Sequence, residues 1–348
     1  MNGALLVVGT GLVGTSIGLA LEGRDVLLTD ADPATLAAAV GRGAGTAWDG
    51  RTRARHGVLA VPPEAIAPSL AALHTNAASW SHVASVQAPV QAAVQRRVPP
   101  AVATLLCGAH PLAGKESSGP LAAAADLFAG RPWALCPAPD TVDAAVDAAR
   151  ALAVRCGAVP VELTAAEHDA TVALVSHLPQ VTASALAAAL LGAGGPLSLA
   201  GPGLQDTTRI AASDPALWGQ ILTQNAAAVA PLVRELGFGL LQAADDLDAG
   251  LDLRDLLARG NRGRALVPVK RGSTDVDFAV VRVRVADRRG QLAAVLVAAS
   301  AAGIDVEDVR VEHLPSRASG VIELVVAAGR LDDARARLAS AGWDTGAA

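Results

Sequence analysis

The sequence predicts an α/β protein in three parts. An N-terminal doubly wound sheet, an all-helical middle and a small C-terminal βαββαβ module account for its 348 residues. Three observations carry this expectation. Short apolar runs alternate with helical periodicity over residues 1–163. From Thr164 the period is helical only. After residue 275 a two-residue alternation returns.

In the first part, "ALLVV" at 4–8 is a continuous apolar run stopped by Gly9, as a strand buried on both faces reads. A helical pattern runs to Leu21, and "VLLT" at 26–29 ends at Asp30. "DPATLAAAV" opens the next helix, with Asp32 as N-cap and Pro33 at the first helical position. Further strands are expected in "GVLAVPP" (57–63), "TLLCGAHP" (104–111), "PWALCPAP" (132–139) and "AVPVEL" (158–163). Residues 164–260 form the helical part, opening with one long apolar pattern that has Pro179 inside it. Its helices carry little polar surface, which implies packing against a second subunit, a homodimer. The Gly- and Arg-rich stretch 261–275 reads as a linker. Residues 276–348 then give strand, helix, two strands, helix and a last short strand at "WDT", a ferredoxin-like order.

Composition narrows the function. Just over half the residues (52%) are apolar, with three Phe, five Trp and no Tyr, so the cores are aliphatic. The net charge of −5 is mixed along the chain without a basic run, which argues against nucleic acid as a partner. Cys107, Cys136 and Cys156 lack metal-ligand spacing and read as buried thiols in a reducing compartment. No run approaches the roughly 18 uninterrupted apolar residues of a membrane span. The N-terminus enters a strand without a basic leader or cleavage site. A cytoplasmic protein is expected.

"GTGLVG" at 9–14 is GxGxxG between a strand and a helix, with Asp30 ending the second strand. That context makes a dinucleotide site of Gly9, Gly11, Leu12, Val13, Gly14 and Asp30. Gly9 permits the tight turn, Gly11 the approach of a pyrophosphate, and Gly14 close helix packing. The pyrophosphate meets the unpaired N–H groups of the helix N-terminus. Asp30 would accept from a ribose 2′-hydroxyl and repel a 2′-phosphate, favouring NAD; as an alternative it merely caps the following helix.

A nicotinamide site also needs a proton acceptor. His110, in "GAHPLAGKESSG", ends a strand on the edge where open α/β sheets bind ligands, and Glu116 and Ser117 follow. By position alone, an ordinary loop histidine is the commoner reading.

Four segments then occur in order: "GTGLVGTSIGLAL", "GAHPLAGKESSG", "EHDATVALVSHLPQ" and "GPGLQDTTRIAASDPALW". Together they resemble the prephenate/arogenate dehydrogenases of tyrosine biosynthesis, over residues 1 to about 260. The resemblance implies NAD-dependent oxidative decarboxylation of a cyclohexadienol. His110 would polarise or deprotonate the ring hydroxyl, Ser85 would bond that histidine and substrate, and Arg209 would clamp a carboxylate with its planar fork. Glu116 would border the pocket, and Asp206 would orient Arg209 or meet an ammonium group. Each has a plainer reading, as a surface pair, a strand-end cap or a solvated loop residue. His168 and Asp169 read mainly as capping and packing residues. His177 has a core, interface or pocket role.

Two departures stand out. The related proteins often carry Asp-x-Gly-Ser-x-Lys where this chain has His82, Ala84, Ser85 and Gln87, and a histidine where it has Gln180. Gln180 therefore bears on which substrate is taken. Prephenate is the broad family activity and arogenate the alternative; a non-catalytic amino-acid sensor is a reading of another class. The C-terminal module resembles an ACT domain. That likeness implies an aromatic amino-acid effector on the loop holding Asp287 and Gly290.

Overall fold

A computed structural model describes residues 3–114, 117–192, 195, 197–267, 277–286, 288–313 and 319–346. The chain forms two compact units, residues 1–242 and 243–348.

The first unit is built on an eight-stranded sheet: β1 (Leu5–Val8), β2 (Val26–Thr29), β3 (Thr46–Ala47), β4 (Ala54–Leu59), β5 (Ala77–His82), β6 (Leu106–Pro111), β7 (Pro132–Pro137) and β8 (Val159–Glu162). Its order is β3-β2-β1-β4-β5-β6-β7-β8. All neighbours are parallel except β6 and β7, which pair antiparallel with His110 opposite Ala134.

Side chains alternate across this sheet with the two-residue period of a strand. Leu5, Val7 and Val58 pack against Ile17 and Leu21 on one face, with Ala149 and Leu152 of the helix Asp143–Arg155. Leu6, Val8, Leu59 and Trp80 meet Ile66 and Leu70 on the other, with Val90 and Val94 of the helix Ala88–Arg97. Both faces are covered, which is why β1 is apolar at every position. Asp32 caps the helix Pro33–Gly41 as expected, accepting from the amides of Ala34 and Thr35.

The apolar pattern gives no sign of β5. One of its faces carries Ser79 and Ser81, which look like turn residues. In the fold both meet the buried imidazole of His56 on β4: Ser79 Oγ lies 2.9 Å from Nδ1 and Ser81 Oγ 2.9 Å from Nε2. The hydroxyls satisfy both ring nitrogens, so a polar trio takes the place of an apolar stripe.

The helical part begins at Thr164. Thr164 and Glu167 close a capping box on the helix Ala165–Val172. The single long helix expected here is interrupted by a wide π turn, Ala173–His177, before Leu178–Ala189. Pro179 supplies the physical reason. It has no N–H to give, and its ring crowds the carbonyl four residues back, so the preceding turn opens. The helices Pro202–Thr208, Pro215–Gln224 and Ala226–Asp248 follow.

The stretch Ala165–Gly192 holds an 18-residue window of mean hydropathy 1.4, long and apolar enough by composition alone to cross a membrane. Scattered polar residues break it into short runs, so a search for uninterrupted apolar residues passes over it. Its apolar character lies partly on the surface, at Leu174 and Val175.

In the second unit, β9 (Phe278–Ala286), β10 (Asp308–His313) and β11 (Ser319–Ala327) form an antiparallel sheet ordered β10-β11-β9. The helices Gln291–Ala301 and Leu331–Ser340 pack Val295, Ala299 and Leu338 on Val281, Val283, Ile322 and Leu324. In place of the last strand expected at "WDT" there is a single bridge, Arg284 to Asp344.

Candidate active site

The nucleotide cradle forms where β1 ends. Gly9 has φ +94, and a Cβ there would lie 2.3 Å from the Ala60 carbonyl oxygen. A Cβ on Gly14 would lie 1.9 Å from the Gly9 oxygen, so the helix sits against the turn. At Gly11 a Cβ would meet nothing within 4 Å. Gly11 is also the N-cap of the helix Leu12–Ala20, and no side chain caps it. Open space, a bare backbone and uncapped amides are what a pyrophosphate needs, and the residues present fit one.

Asp30 faces this loop. Its Oδ2 accepts from the Thr10 amide at 2.6 Å and the Thr10 hydroxyl at 2.9 Å, and its Oδ1 accepts from the Asp32 amide at 2.9 Å. The cap of the next helix is Asp32, not Asp30. Asp30 thus ties the glycine turn to the end of β2, and a carboxylate oxygen has lone pairs left for a ribose hydroxyl.

His110 lies in β6 itself, half-buried. Its Nδ1 is 2.9 Å from Nε2 of His168, with the rings edge to face at 5.1 Å. His168 Nδ1 donates to Asp169 Oδ1 at 2.8 Å. The two oxygens of Asp169 also accept from the amides of Gln87 (2.8 Å) and Ala88 (2.9 Å), at the N-terminus of the helix Ala88–Arg97. The capping half of the reading of His168 and Asp169 is therefore corrected, because Thr164 and Glu167 cap that helix; both residues are buried, as packing residues are. Spacing could not show the contact, since His110 and His168 are 58 residues apart.

Burial lowers the pKa of His110 well below the usual imidazole range, and the neighbouring His168, His82 and His177 add to the shift. His82, fully buried at the end of β5, is lowered to about 3, mainly by desolvation. Both its ring nitrogens lack a partner among the described residues, as does Gln87 Oε1. Ser85 follows in the same loop, half-buried.

On the helical side, His177 closes the wide turn. Its Nδ1 accepts from Asn225 Nδ2 at 3.1 Å, and its ring stands edge-on to Trp218. The same Asn225 nitrogen donates to the Asp169 carbonyl at 2.8 Å. Asn225 carried no motif and escaped the sequence reading. Gln180 donates from Nε2 to the Ile210 carbonyl at 3.0 Å and lies 3.4 Å from Ser184 Oγ. It fastens its helix to the short turn Arg209–Ala212. Arg209 and Asp206 are exposed, one turn apart. Gly290, with φ +87, caps the helix Gln291–Ala301 in the second unit. Glu116 and Asp287 lie outside the described residues.

The three cysteines are buried, and desolvation pushes their thiols up to about 12, so none is a nucleophile near neutral pH. Among the described residues no group of three or more metal ligands occurs.

A dinucleotide cradle, a histidine at the sheet's ligand-binding edge and a helical domain beside it define a nucleotide-dependent oxidoreductase. Comparison with known proteins sharpens that class. Residues 17–162 match the prephenate dehydrogenase nucleotide-binding domain, and residues 164–241 match the prephenate dehydrogenase dimerization domain. The chain is 35% identical to the probable prephenate dehydrogenase NovF of Streptomyces niveus, over 92% of this chain and 93% of that protein. Synechocystis arogenate dehydrogenase is similar in structure, with TM-score 0.62 and 26% identity over 75% of this chain and 98% of that one. The prephenate dehydrogenase of A. aeolicus, solved with hydroxyphenyl propionate and NAD+, shares the fold, with TM-score 0.67 and 23% identity over 76% and 98% of the two chains. The chain belongs to the prephenate dehydrogenase family. Its helical segment, residues 164–241, is that family's dimerization domain.

Proposed function

We propose that this protein oxidatively decarboxylates prephenate to 4-hydroxyphenylpyruvate, with NAD+ as hydride acceptor and as a homodimer. One observation carries the reading: His110 stands half-buried at the edge of the sheet, held at Nδ1 by His168, in an environment that keeps it neutral. Gly11, the amides of the following helix and Asp30 are the residues that would hold NAD, which would supply a hydride acceptor for the hydroxyl-bearing ring carbon. His110 takes the hydroxyl proton as that hydride leaves. Loss of carbon dioxide from the opposite ring carbon makes the ring aromatic and leaves a phenolate, to which His110 can return the proton. Arg209 would clamp a substrate carboxylate, Ser85 would bond the ring hydroxyl, and Glu116 would border the pocket. Gln180 and His177 serve substrate through the segments they fasten.

Asp206, exposed one turn before Arg209, favours a second reading in which arogenate is the substrate and its ammonium pairs with this acid. We assign NAD binding to residues 1–163, substrate binding and dimerization to 164–260 and effector binding to 276–348, with 261–275 as linker, corrected at its start because residues 261–265 continue the helix Arg254–Ala265. The effector would be an aromatic amino acid near Gly290 and Asp287.

The deciding experiment measures NADH formation with prephenate and arogenate side by side at saturating NAD+. Faster turnover of prephenate supports the first reading and of arogenate the second. Silence with both supports a non-catalytic sensor. Calorimetry with tyrosine, phenylalanine and tryptophan tests the C-terminal unit; no heat and no kinetic response at millimolar levels removes the effector.

A further inference from the structure

We infer that His168 and Asp169 act as positioning residues that set the proton-bearing nitrogen of His110, leaving His110 Nε2 as the bare, basic atom and His168 as the place where the abstracted proton is held. The first half rests on geometry alone; the second rests on the reading of His110 as the base.

The assignment starts from Asp169. Its oxygens receive two backbone amides and His168 Nδ1, so it serves as an acceptor inside the protein. A carboxylate can only accept, so His168 carries its proton on Nδ1. A neutral His168 then has a lone pair on Nε2. That atom lies 2.9 Å from His110 Nδ1, and two nitrogens at this distance need one hydrogen between them. His110 must supply it. Its other nitrogen, Nε2, is left without a proton.

This order reverses the usual preference of a neutral imidazole, which carries its proton on Nε2. The fold therefore holds His110 in the form a base needs. It also gives the substrate proton somewhere to go. As the substrate O–H bond breaks, a bond to His110 Nε2 forms. The His110 Nδ1–H bond can then break as a bond to His168 Nε2 forms. The charge comes to rest on His168 against the Asp169 carboxylate. It leaves His110, where burial and the imidazoles of His82 and His177 disfavour it. Protonation of the phenolate product reverses both transfers, and no net proton is lost.

The same contacts have a plainer role, since Asp169 also caps the helix Ala88–Arg97. The test must separate the two. In the full chain labelled with ¹⁵N-histidine, at pH 7.5 and without substrate, ring-nitrogen shifts should show the proton on Nδ1 in both His110 and His168. His168→Gln keeps Asp169 and its cap. It should turn His110 to the Nε2–H form and lower kcat about 10²-fold, a general-base effect at the lower end, with KM unchanged. Asp169→Asn should move the acid limb of kcat/KM to lower pH, because the charge on the pair loses its counter-ion. The groups facing His110 in that titration are His82 from β5, His177 from the wide turn, and His168 with Asp169. An Nε2–H form of His110 in the wild type overturns the proposal, and that reading needs no variant to fold. A His168→Gln enzyme with unchanged tautomer and rate also overturns it. Correct tautomers in a chain silent on both substrates would instead sink the dehydrogenase reading and leave the pairing standing.

Discussion

His110 is the residue on which the proposed chemistry turns, and its neighbours dictate how it should respond. His110→Asn should leave NAD binding intact and lower turnover by about 10²–10⁴, the usual reach of a general base; near-normal turnover would remove it from the mechanism. Because its pKa lies well below the usual value, the neutral form persists as pH falls. Protonation of His110 itself should therefore place the acid limb of kcat/KM below pH 6.5, and a limb at or above that value would mean that the pair takes up its proton on His168. Asp30 offers a separate check. Its carboxylate holds Thr10 and faces the cradle, so Asp30→Ser should raise the use of NADP relative to NAD, and an unchanged ratio would count against ribose contact. Much of this was legible in the sequence. GxGxxG, Asp30 and His110 at a strand end are local patterns, and each is set by the few residues around it. The partner of His110 was not legible, because a strand end and a helix 58 positions away meet only in the fold.

At the scale of elements, the strands that read clearly were those buried by apolar side chains on both faces, such as β1. The strand β5 stayed hidden because its core is the trio His56, Ser79 and Ser81. The wide turn at Ala173–His177 was hidden for another reason: one extra residue in a helix barely disturbs an Ala-rich pattern, and only Pro179 hinted at it. The buried trio has a measurable consequence. Desolvation lowers His56 to about 4 in the folded state, against the usual imidazole value of 6.5. A depressed histidine contributes stability that is fully present above the unfolded value and is lost as pH falls from 6.5 toward 4. The contribution is roughly 3 kcal/mol. Urea midpoints should therefore fall between pH 7.5 and 4.5. A triple variant, His56→Val with Ser79→Ala and Ser81→Ala, should show a shallower fall. Equal falls in both proteins would mean that the acid sensitivity comes from elsewhere.

For the whole molecule, the apolar surface of the helical part is the dominant unassigned feature. Phe238 and Leu241 are 70% and 64% exposed and lie three residues apart on one long helix. They share a helix face, as an interface stripe requires. Replacing both with Asp should shift the protein toward monomer in sedimentation experiments; an unchanged mass would place the interface elsewhere.

Asp169 also acts across the join between the two halves of the first unit. Through Gln87 and Ala88 it pins the start of the helical part to a helix that covers the sheet. His110 of the sheet and His168 of the helical part are thus held together across that join, while Arg209 lies further along the chain on a turn that Gln180 fastens. If the helical part swings to admit a substrate, the pivot falls beside the base. The pair His110–His168 would stay assembled, and the turn that bears Arg209 would be the part that travels.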